Sequence, residues 1–252
     1  MPTENAIVDY WLEMPPSDDE LVFDDAESMD SPEYRNNLHL LFRDAHAHFA
    51  GRSDVYVGAN EALYFSAAQA RNRYFRAPDF FVVLGCDGKK PRTGWVVWNE
   101  DGKVPDIVIE LVSPATEQVD RTLKLDTYRR IGVGEYVLYD VRRSDDPEAL
   151  TGYVRTPSGY GPMPRARSGR LYSQALGLEL GFWRGAFWGI ERPWLRFFRH
   201  NGTLGPTAAE AEAQRAEAEA QRAEAEAQRP DDLAARLAAY EARFGKIETL
   251  DA

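Results

Sequence analysis

The 252-residue sequence predicts an α/β fold in which helices flank a mixed sheet. Two apolar, strand-like segments at 106–112 (DIVIELV) and 135–140 (EYVLYD) enclose a helical segment at 120–131, which Gly132 can end. A strand, a helix and a second strand within about 35 residues form a βαβ unit. The two strands of this unit are therefore predicted to be parallel.

The remaining elements follow from local patterns. An amphipathic helix is predicted over 31–50, and a strand over 78–85 (PDFFVVLG), where aromatic and β-branched residues dominate. Short strands are predicted around Val55 and Tyr64, and the Gly- and aromatic-rich segments after residue 150 predict further strands or hairpins. In the first helix, five side chains recur at helical spacing: Tyr34, Leu38, Leu41, Phe42 and His46.

From Thr207 onward the sequence consists mainly of Ala, Glu, Gln and Arg, and residues 211–229 repeat with a period of seven. This composition predicts a long exposed helix, but Ala at the apolar heptad positions disfavours a tight coiled coil. Two interpretations stay open, a solvated spacer helix and a helix that dimerises or binds a protein partner. The predicted organisation is an acidic arm at 1–30, a domain at 31–200 and a helical heptad-repeat tail at 207–252.

The net charge of −11 is unevenly distributed along the chain. Residues 1–32 carry 10 acidic and no basic side chains, residues 207–252 carry 11 acidic and 6 basic ones, and residues 33–206 have a net charge of +4. A mildly basic body can bind a polyanion such as DNA. The acidic arm either aids solubility or competes with a polyanion for the basic groups of the body.

Cysteine and hydropathy patterns exclude several classes of protein. The single cysteine, Cys86, allows neither an intramolecular disulfide nor a thiolate zinc cluster. The four histidines at 39, 46, 48 and 200 do not have the spacing of a zinc site. No run of about 18 apolar residues occurs, so we expect a cytoplasmic protein without membrane association.

Three charged positions are candidates for the chemistry of the protein. Asp79 begins one predicted apolar strand and Glu110 lies inside another, and burying a lone carboxylate costs several kcal/mol. A divalent cation such as Mg²⁺ can offset the repulsion between two neighbouring carboxylates. Lys124 lies on the following helix, with Asp120 and Tyr128 on the same helical face, and can orient a water or stabilise developing negative charge.

Each of these positions also has a structural interpretation. Asp79 and Asp106 each follow a proline at the start of a strand, where a carboxylate can serve as a cap. Glu110 can belong to a buried ion pair, and Lys124 can form an ordinary helical ion pair with Asp120. The specific signal is the order and spacing of the whole set.

That set resembles the bacterial Uma-type putative restriction endonuclease family of the PD-(D/E)XK nuclease superfamily. The matching segments are Pro78-Asp79, PDIVIELVSP at 105–114, and DRTLK at 120–124, followed by Tyr128, Gly132-Val133 and Glu135-Tyr136. The resemblance extends over about residues 30–250 and implies a restriction-endonuclease-like core.

The resemblance also implies roles for individual residues. Asp79 and Glu110 match the motif carboxylates, and Lys124 matches a lysine moved from the strand, where Val112 now stands, to the next helix. Glu33 matches an acidic position that sometimes contributes to the site, and Asp106 is an additional candidate. Tyr34 follows Glu33 where many relatives carry histidine.

Two hypotheses about function follow. The first is an endonuclease that hydrolyses DNA phosphodiester bonds with Mg²⁺ or Mn²⁺ held by Asp79 and Glu110, and with Lys124 assisting the attacking water. Basic residues around the Asp79 strand are expected to contact the DNA backbone: Arg71, Arg73, Arg76, Lys89, Lys90 and Arg92. The second is a catalytically degenerate nuclease fold that binds nucleic acid, or that assembles as a homodimer or with a protein partner through its C-terminal helix.

Overall fold

The computed structural model describes residues 31–71, 76–113, 116–144 and 146–205, together with residues 216, 219–222, 226, 239–240, 242–243 and 245. The chain divides into two units, Met1–Pro206 and Thr207–Ala252. The acidic arm and most of the heptad tail lie outside the described residues, so the predicted long helix stays a prediction. Within the described ranges, no helix is long and apolar enough to cross a membrane.

The predicted first helix is confirmed as α1, Pro32–His48. Ser31 caps it, because its Oγ accepts a hydrogen bond from Tyr34 N at 3.2 Å. Asn37 fixes the helix to the strand that contains Leu195, donating to its carbonyl at 3.3 Å and accepting from its N–H at 3.1 Å. A buried ion pair between Asp44 and Arg196 adds a second connection between the same two elements.

Short strands and a one-turn helix precede the βαβ unit. They are listed in chain order: β1 Val55–Ala59, β2 Leu63–Tyr64, α2 Ala67–Arg71, β3 Phe80–Leu84, β4 Trp95–Val96 and β5 Ile107–Val112. The strands after the unit's helix are β6 Glu135–Asp140, β7 Leu150–Thr156, β8 Gly159–Pro162, β9 Leu171–Ser173, β10 Leu178–Phe187 and β11 Ile190–Phe198. Three 3₁₀ turns lie at Val97–Asn99, Val141–Arg143 and Pro147–Ala149. The strands predicted around Val55 and Tyr64, and those after residue 150, are therefore confirmed.

In the described part of the chain, the main sheet has six strands in the order β1-β3-β5-β6-β7-β8. Strands β5 and β6 are parallel, as the βαβ pattern predicts, and every other neighbouring pair in this sheet is antiparallel. A second sheet contains β11, β10 and β9, all antiparallel, and β2 pairs in parallel with β4. The predicted mixed sheet flanked by helices is confirmed.

The central strands are buried on both faces, which explains their continuous apolar sequences. Side chains alternate between two core clusters, because successive residues of a strand point to opposite faces. Phe80 and Val82 belong to one cluster, whereas Phe81 and Val83 belong to the other. By the same alternation, Glu110 lies on the face of Phe81 and Val83.

The helix of the βαβ unit, α3, spans residues 117–131 and is not uniformly α-helical. It is α-helical over Glu117–Val119, π-helical over Asp120–Lys124 and α-helical again over Leu125–Ile131. The Tyr136 hydroxyl donates to the backbone carbonyl of Asp120 at 2.9 Å, which satisfies a polar group in the widened turn. The sequence pattern places the start of this helix three residues too late and does not predict the π-helical segment.

Gly132 ends α3 in the left-handed conformation, with φ +101°, as predicted. We expect Gly132→Ala to lower the free energy of unfolding by about 1 kcal/mol or more, because a Cβ is strained at this φ. The added carbon would also lie 3.0 Å from Arg155 Nη1. Urea denaturation tests the prediction. Gly132→Asn is the control and should cost less, because asparagine tolerates this conformation; equal losses for both variants would contradict the explanation.

Candidate active site

Asp79 and Glu110 lie beside each other on neighbouring strands. The antiparallel pairing of β3 with β5 places Phe80 opposite Ile109, so Asp79, which precedes Phe80, comes opposite Glu110. The backbone N–H of Asp79 donates to Glu110 Oε2 at 3.4 Å. Glu110 is fully buried, and Asp79 is partly exposed as a residue, although its carboxyl group is desolvated. Burial therefore acts on both carboxyl groups of the pair.

Lys124 reaches this pair from α3. Its Nζ lies 2.9 Å from Glu110 Oε2, to which it donates a hydrogen bond, and 2.9 Å from Asp120 Oδ1, with which it forms an ion pair. Both Asp120 and Lys124 belong to the π-helical segment. Such segments occur frequently at functional sites. The structure thus brings together the three residues that the sequence predicts, Asp79, Glu110 and Lys124.

Two tyrosines complete the polar contacts of the cluster. The Tyr34 hydroxyl donates to Asp79 Oδ1 at 2.6 Å, and the Tyr128 hydroxyl donates to Glu110 Oε1 at 2.9 Å. The N–H of Leu111 donates to Asp79 Oδ2 at 2.5 Å. Each carboxylate oxygen of the pair thus accepts a hydrogen bond, which fixes the position of both groups.

The electrostatics of the cluster are dominated by burial. Desolvation, and secondarily the charge of Glu110, raise the pKa of Asp79 well above its usual range. Desolvation also raises the pKa of Glu110, despite the opposing effect of Lys124. Burial tends to lower the pKa of Lys124, but the three nearby carboxylates outweigh it and raise that pKa. Three carboxyl groups thus face one ammonium group.

Tyr34 is a site residue that the sequence pattern does not reveal. Its helical spacing indicates packing against the core, and nothing local indicates that its hydroxyl reaches a residue 45 positions away. The preceding residue, Glu33, shows no contact with the cluster in the described structure. Instead, its own N–H and the Ser31 hydroxyl lower its pKa.

Asp106 also lies apart from the cluster. It precedes Glu110 by four residues, about 13 Å along an extended strand. Its Oδ2 accepts a hydrogen bond from Leu84 N at 2.7 Å. The capping interpretation therefore describes its contact, and the structure does not bring it to Asp79 and Glu110.

The expected DNA contacts near the Asp79 strand require a correction. Arg76 is buried, and the Arg92 side chain is only 3% exposed. Arg92 forms two hydrogen bonds with Glu100, which also pairs with Lys90. The prediction that Arg76 and Arg92 contact a DNA backbone is therefore wrong, because Arg76 is buried and Arg92 is enclosed in its pair with Glu100.

Three of the remaining basic candidates are exposed: Arg71, Lys89 and Lys90. Arg73 lies outside the described residues.

Comparison with known proteins gives a family and similar solved structures. The chain is similar to a crystal structure of a putative nuclease belonging to DUF820 from Anabaena variabilis ATCC 29413, with 15% identity and a TM-score of 0.40. The alignment covers 67% of this chain and 89% of that one. No curated protein matches the sequence. The sequence profile of Uma2, described as a putative restriction endonuclease, matches residues 15–186, which is more than half of the chain. The chain therefore belongs to the Uma2 putative restriction endonuclease family.

Proposed function

We propose that this protein is a metal-dependent endonuclease that hydrolyses DNA phosphodiester bonds. In this proposal, Asp79 and Glu110 hold Mg²⁺, for which Mn²⁺ can substitute, and Lys124 assists the attacking water. The observation that carries the proposal is the contact of Lys124 with Glu110 at 2.9 Å, beside an Asp79 that is itself hydrogen-bonded to Glu110. Membership of the family supports a nuclease.

The residues present fit a Mg²⁺ ion. The described part of the chain contains no group of three or more His, Cys, Asp and Glu side chains arranged to hold a metal. Mg²⁺, however, is commonly bound by one or two carboxylates, with water and phosphate oxygens completing its shell. Desolvation is the main cause of the raised pKa values of Asp79 and Glu110, so a cation bound beside them would stabilise their ionised forms. A bound Mg²⁺ would polarise a phosphodiester and lower the pKa of a water.

The chain's own residues have separate roles in this proposal. Asp79 is the partly exposed residue of the pair, and Tyr34 holds its carboxylate in place. Because the pKa of Lys124 is raised, its ammonium group stays protonated at neutral pH. Lys124 therefore acts as a hydrogen-bond donor that orients water and stabilises negative charge on the phosphate, and not as a general base.

Cleavage assays with the full chain test the proposed function. Single-stranded, duplex and branched DNA are incubated with Mg²⁺, with Mn²⁺, or with a chelator. We expect cleavage with either metal and none with the chelator. Binding of DNA without cleavage under every metal condition would favour the alternative, a catalytically degenerate fold that binds nucleic acid.

Tyr34→Phe is expected to shift the pH dependence of cleavage. The Tyr34 hydroxyl lowers the pKa of Asp79, so its removal raises that pKa further. At subsaturating Mg²⁺ a proton competes with the metal for Asp79. The acid limb of the rate profile should move to higher pH by about 1–2 units, the equivalent of one hydrogen bond to a charged group.

The matched control for this prediction is Tyr160→Phe. Its hydroxyl donates to the Val133 carbonyl, away from the carboxylates of the site. An unchanged acid limb in Tyr34→Phe, or the same shift in both variants, would contradict the role given to Tyr34.

A further inference from the structure

The hairpin between β10 and β11 ends in an unusual turn. Trp188 and Gly189 both have positive φ, +47° and +77°, and they lie between the paired residues Phe187 and Ile190. Turns with two positive φ angles favour Asn-Gly. A bulky side chain in the left-handed region is strained, so tryptophan is a poor choice for the stability of this turn.

Trp188 is also poorly placed for burial. At 65% exposure it is the most exposed large hydrophobic side chain among the residues that the structure describes. Its ring stacks on Phe187 at 4.7 Å with an interplanar angle of 22°, and lies 4.8 Å from the His39 ring of α1. Neither backbone conformation nor burial explains this residue, and such outliers point to function.

Two arginines of α1 flank His39, and one of them contacts a ring of this group. Arg35 and Arg43 lie four residues before and after His39, on neighbouring turns of α1. The Arg43 guanidinium lies 5.3 Å from the Phe187 ring centre and also pairs with the buried Asp44 at 3.3 Å, so Arg35 is the more exposed of the two positive charges. On the hairpin, the charges of the exposed Arg184 and the exposed Glu191 cancel. The net positive charge near the rings therefore comes mainly from α1. An exposed aromatic face beside arginines complements a ligand with flat rings and negative charge.

We propose that single-stranded nucleic acid stacks a base on Trp188. We call the surface formed by His39, Phe187 and Trp188, with Arg35 and Arg43, the Trp188 platform. Aromatic stacking plus phosphate-neutralising arginines is the general mode of sequence-tolerant single-strand binding. Duplex DNA does not offer its base faces in this way, so the platform selects unpaired segments.

The platform is connected to the candidate active site through α1. His39 follows Tyr34 by five residues, about 7.5 Å along the helix axis and about 140° around it, so the platform and the candidate active site lie on different faces of α1. The inference rests on the proposed function in one respect, that the ligand is nucleic acid, but it does not require cleavage.

The test is equilibrium binding of a fluorescein-labelled 20-nucleotide oligothymidine by the full chain in the presence of a chelator. Trp188→Asn should weaken binding roughly 5- to 150-fold, the equivalent of losing one stacked base. Trp188→Phe should retain most of the affinity. Because asparagine suits this turn, the melting temperature of Trp188→Asn should equal or exceed that of the wild type, which separates lost binding from lost folding.

Inorganic polyphosphate, which has charge but no bases, is the control ligand. The affinity for polyphosphate should be unchanged in Trp188→Asn. Arg35→Ala should lower the affinity for both ligands and reduce the salt dependence of binding. Unchanged oligothymidine affinity in Trp188→Asn would overturn the inference, as would an equal loss for polyphosphate. A dimer that becomes monomeric in Trp188→Asn, with unchanged DNA affinity, would identify a contact between copies of the chain instead.

If cleavage fails in every protein but Trp188→Asn still lowers oligothymidine affinity, the proposed nuclease function is wrong and the platform stands. If the wild type cleaves DNA and Trp188→Asn binds oligothymidine with normal affinity, the inference about the platform is wrong and the proposed nuclease function stands.

Discussion

Glu110→Gln is expected to lower the rate of DNA cleavage by at least roughly 10²–10³-fold, because it removes a charged group from the proposed metal site. Glu110 is fully buried and accepts hydrogen bonds from Lys124 and Tyr128. Glutamine keeps the size of the side chain and one acceptor oxygen, but it carries no negative charge for a cation. The variant should therefore fold, and should bind DNA without cleaving it.

Single-turnover cleavage and DNA binding in the presence of a chelator, measured on the same preparations, check this expectation. Glu117→Gln is a matched control on α3. It changes the same residue type, but Glu117 pairs with the partly exposed Arg121 and Arg142 outside the cluster. Its cleavage rate should equal that of the wild type. Cleavage by Glu110→Gln at the wild-type rate would remove Glu110 from the mechanism.

The second large effect is expected for Lys124→Met, which should lose cleavage and lower the free energy of unfolding by about 3–5 kcal/mol without metal. The Lys124 side chain is 14% exposed and is the cation that contacts both Glu110 and Asp120. Methionine leaves these carboxylates without their counterion in a buried position. Mg²⁺ should restore part of the lost stability, because it supplies positive charge to Asp79 and Glu110.

The loss in Lys124→Met should also depend on pH. A carboxyl group whose pKa is raised by folding contributes stability below its unfolded pKa, near 4, and loses that contribution as pH rises through the folded value. Removing Lys124 raises the pKa of Asp79 and Glu110 further, since its charge lowers both. The difference from the wild type should therefore be larger at pH 8 than at pH 5. Lysine itself stays charged across this range, because folding raises its pKa.

Urea denaturation at the two pH values, with and without Mg²⁺, measures these effects. Lys124→Arg keeps the charge and should retain more stability than Lys124→Met. Arg121→Met is the control on the same helix, because Arg121 pairs with Glu117 at a partly exposed position, and it should change stability little. A Lys124→Met variant as stable as the wild type at pH 8 would show that the ion pairs do not support the fold.

Much of the fold could be predicted from local patterns. Strand β6 matches its predicted range, Glu135–Asp140, because a strand buried on both faces has a continuous apolar sequence with clear ends. The left-handed Gly132 was also predictable, since it depends on one residue type in one backbone conformation. The π-helical segment was not predictable, because it depends on how α3 packs on the sheet.

The sequence by itself determined the βαβ unit and the candidate residues Asp79, Glu110 and Lys124, because apolar runs make any charge within or beside them conspicuous. Only the tertiary structure decided that Tyr34 contacts Asp79 and that Arg92 is bound internally to Glu100. These contacts depend on strand register and helix packing between residues distant in sequence. Local periodicity contains no information about such contacts, so the partners and charge balance of the site required the fold.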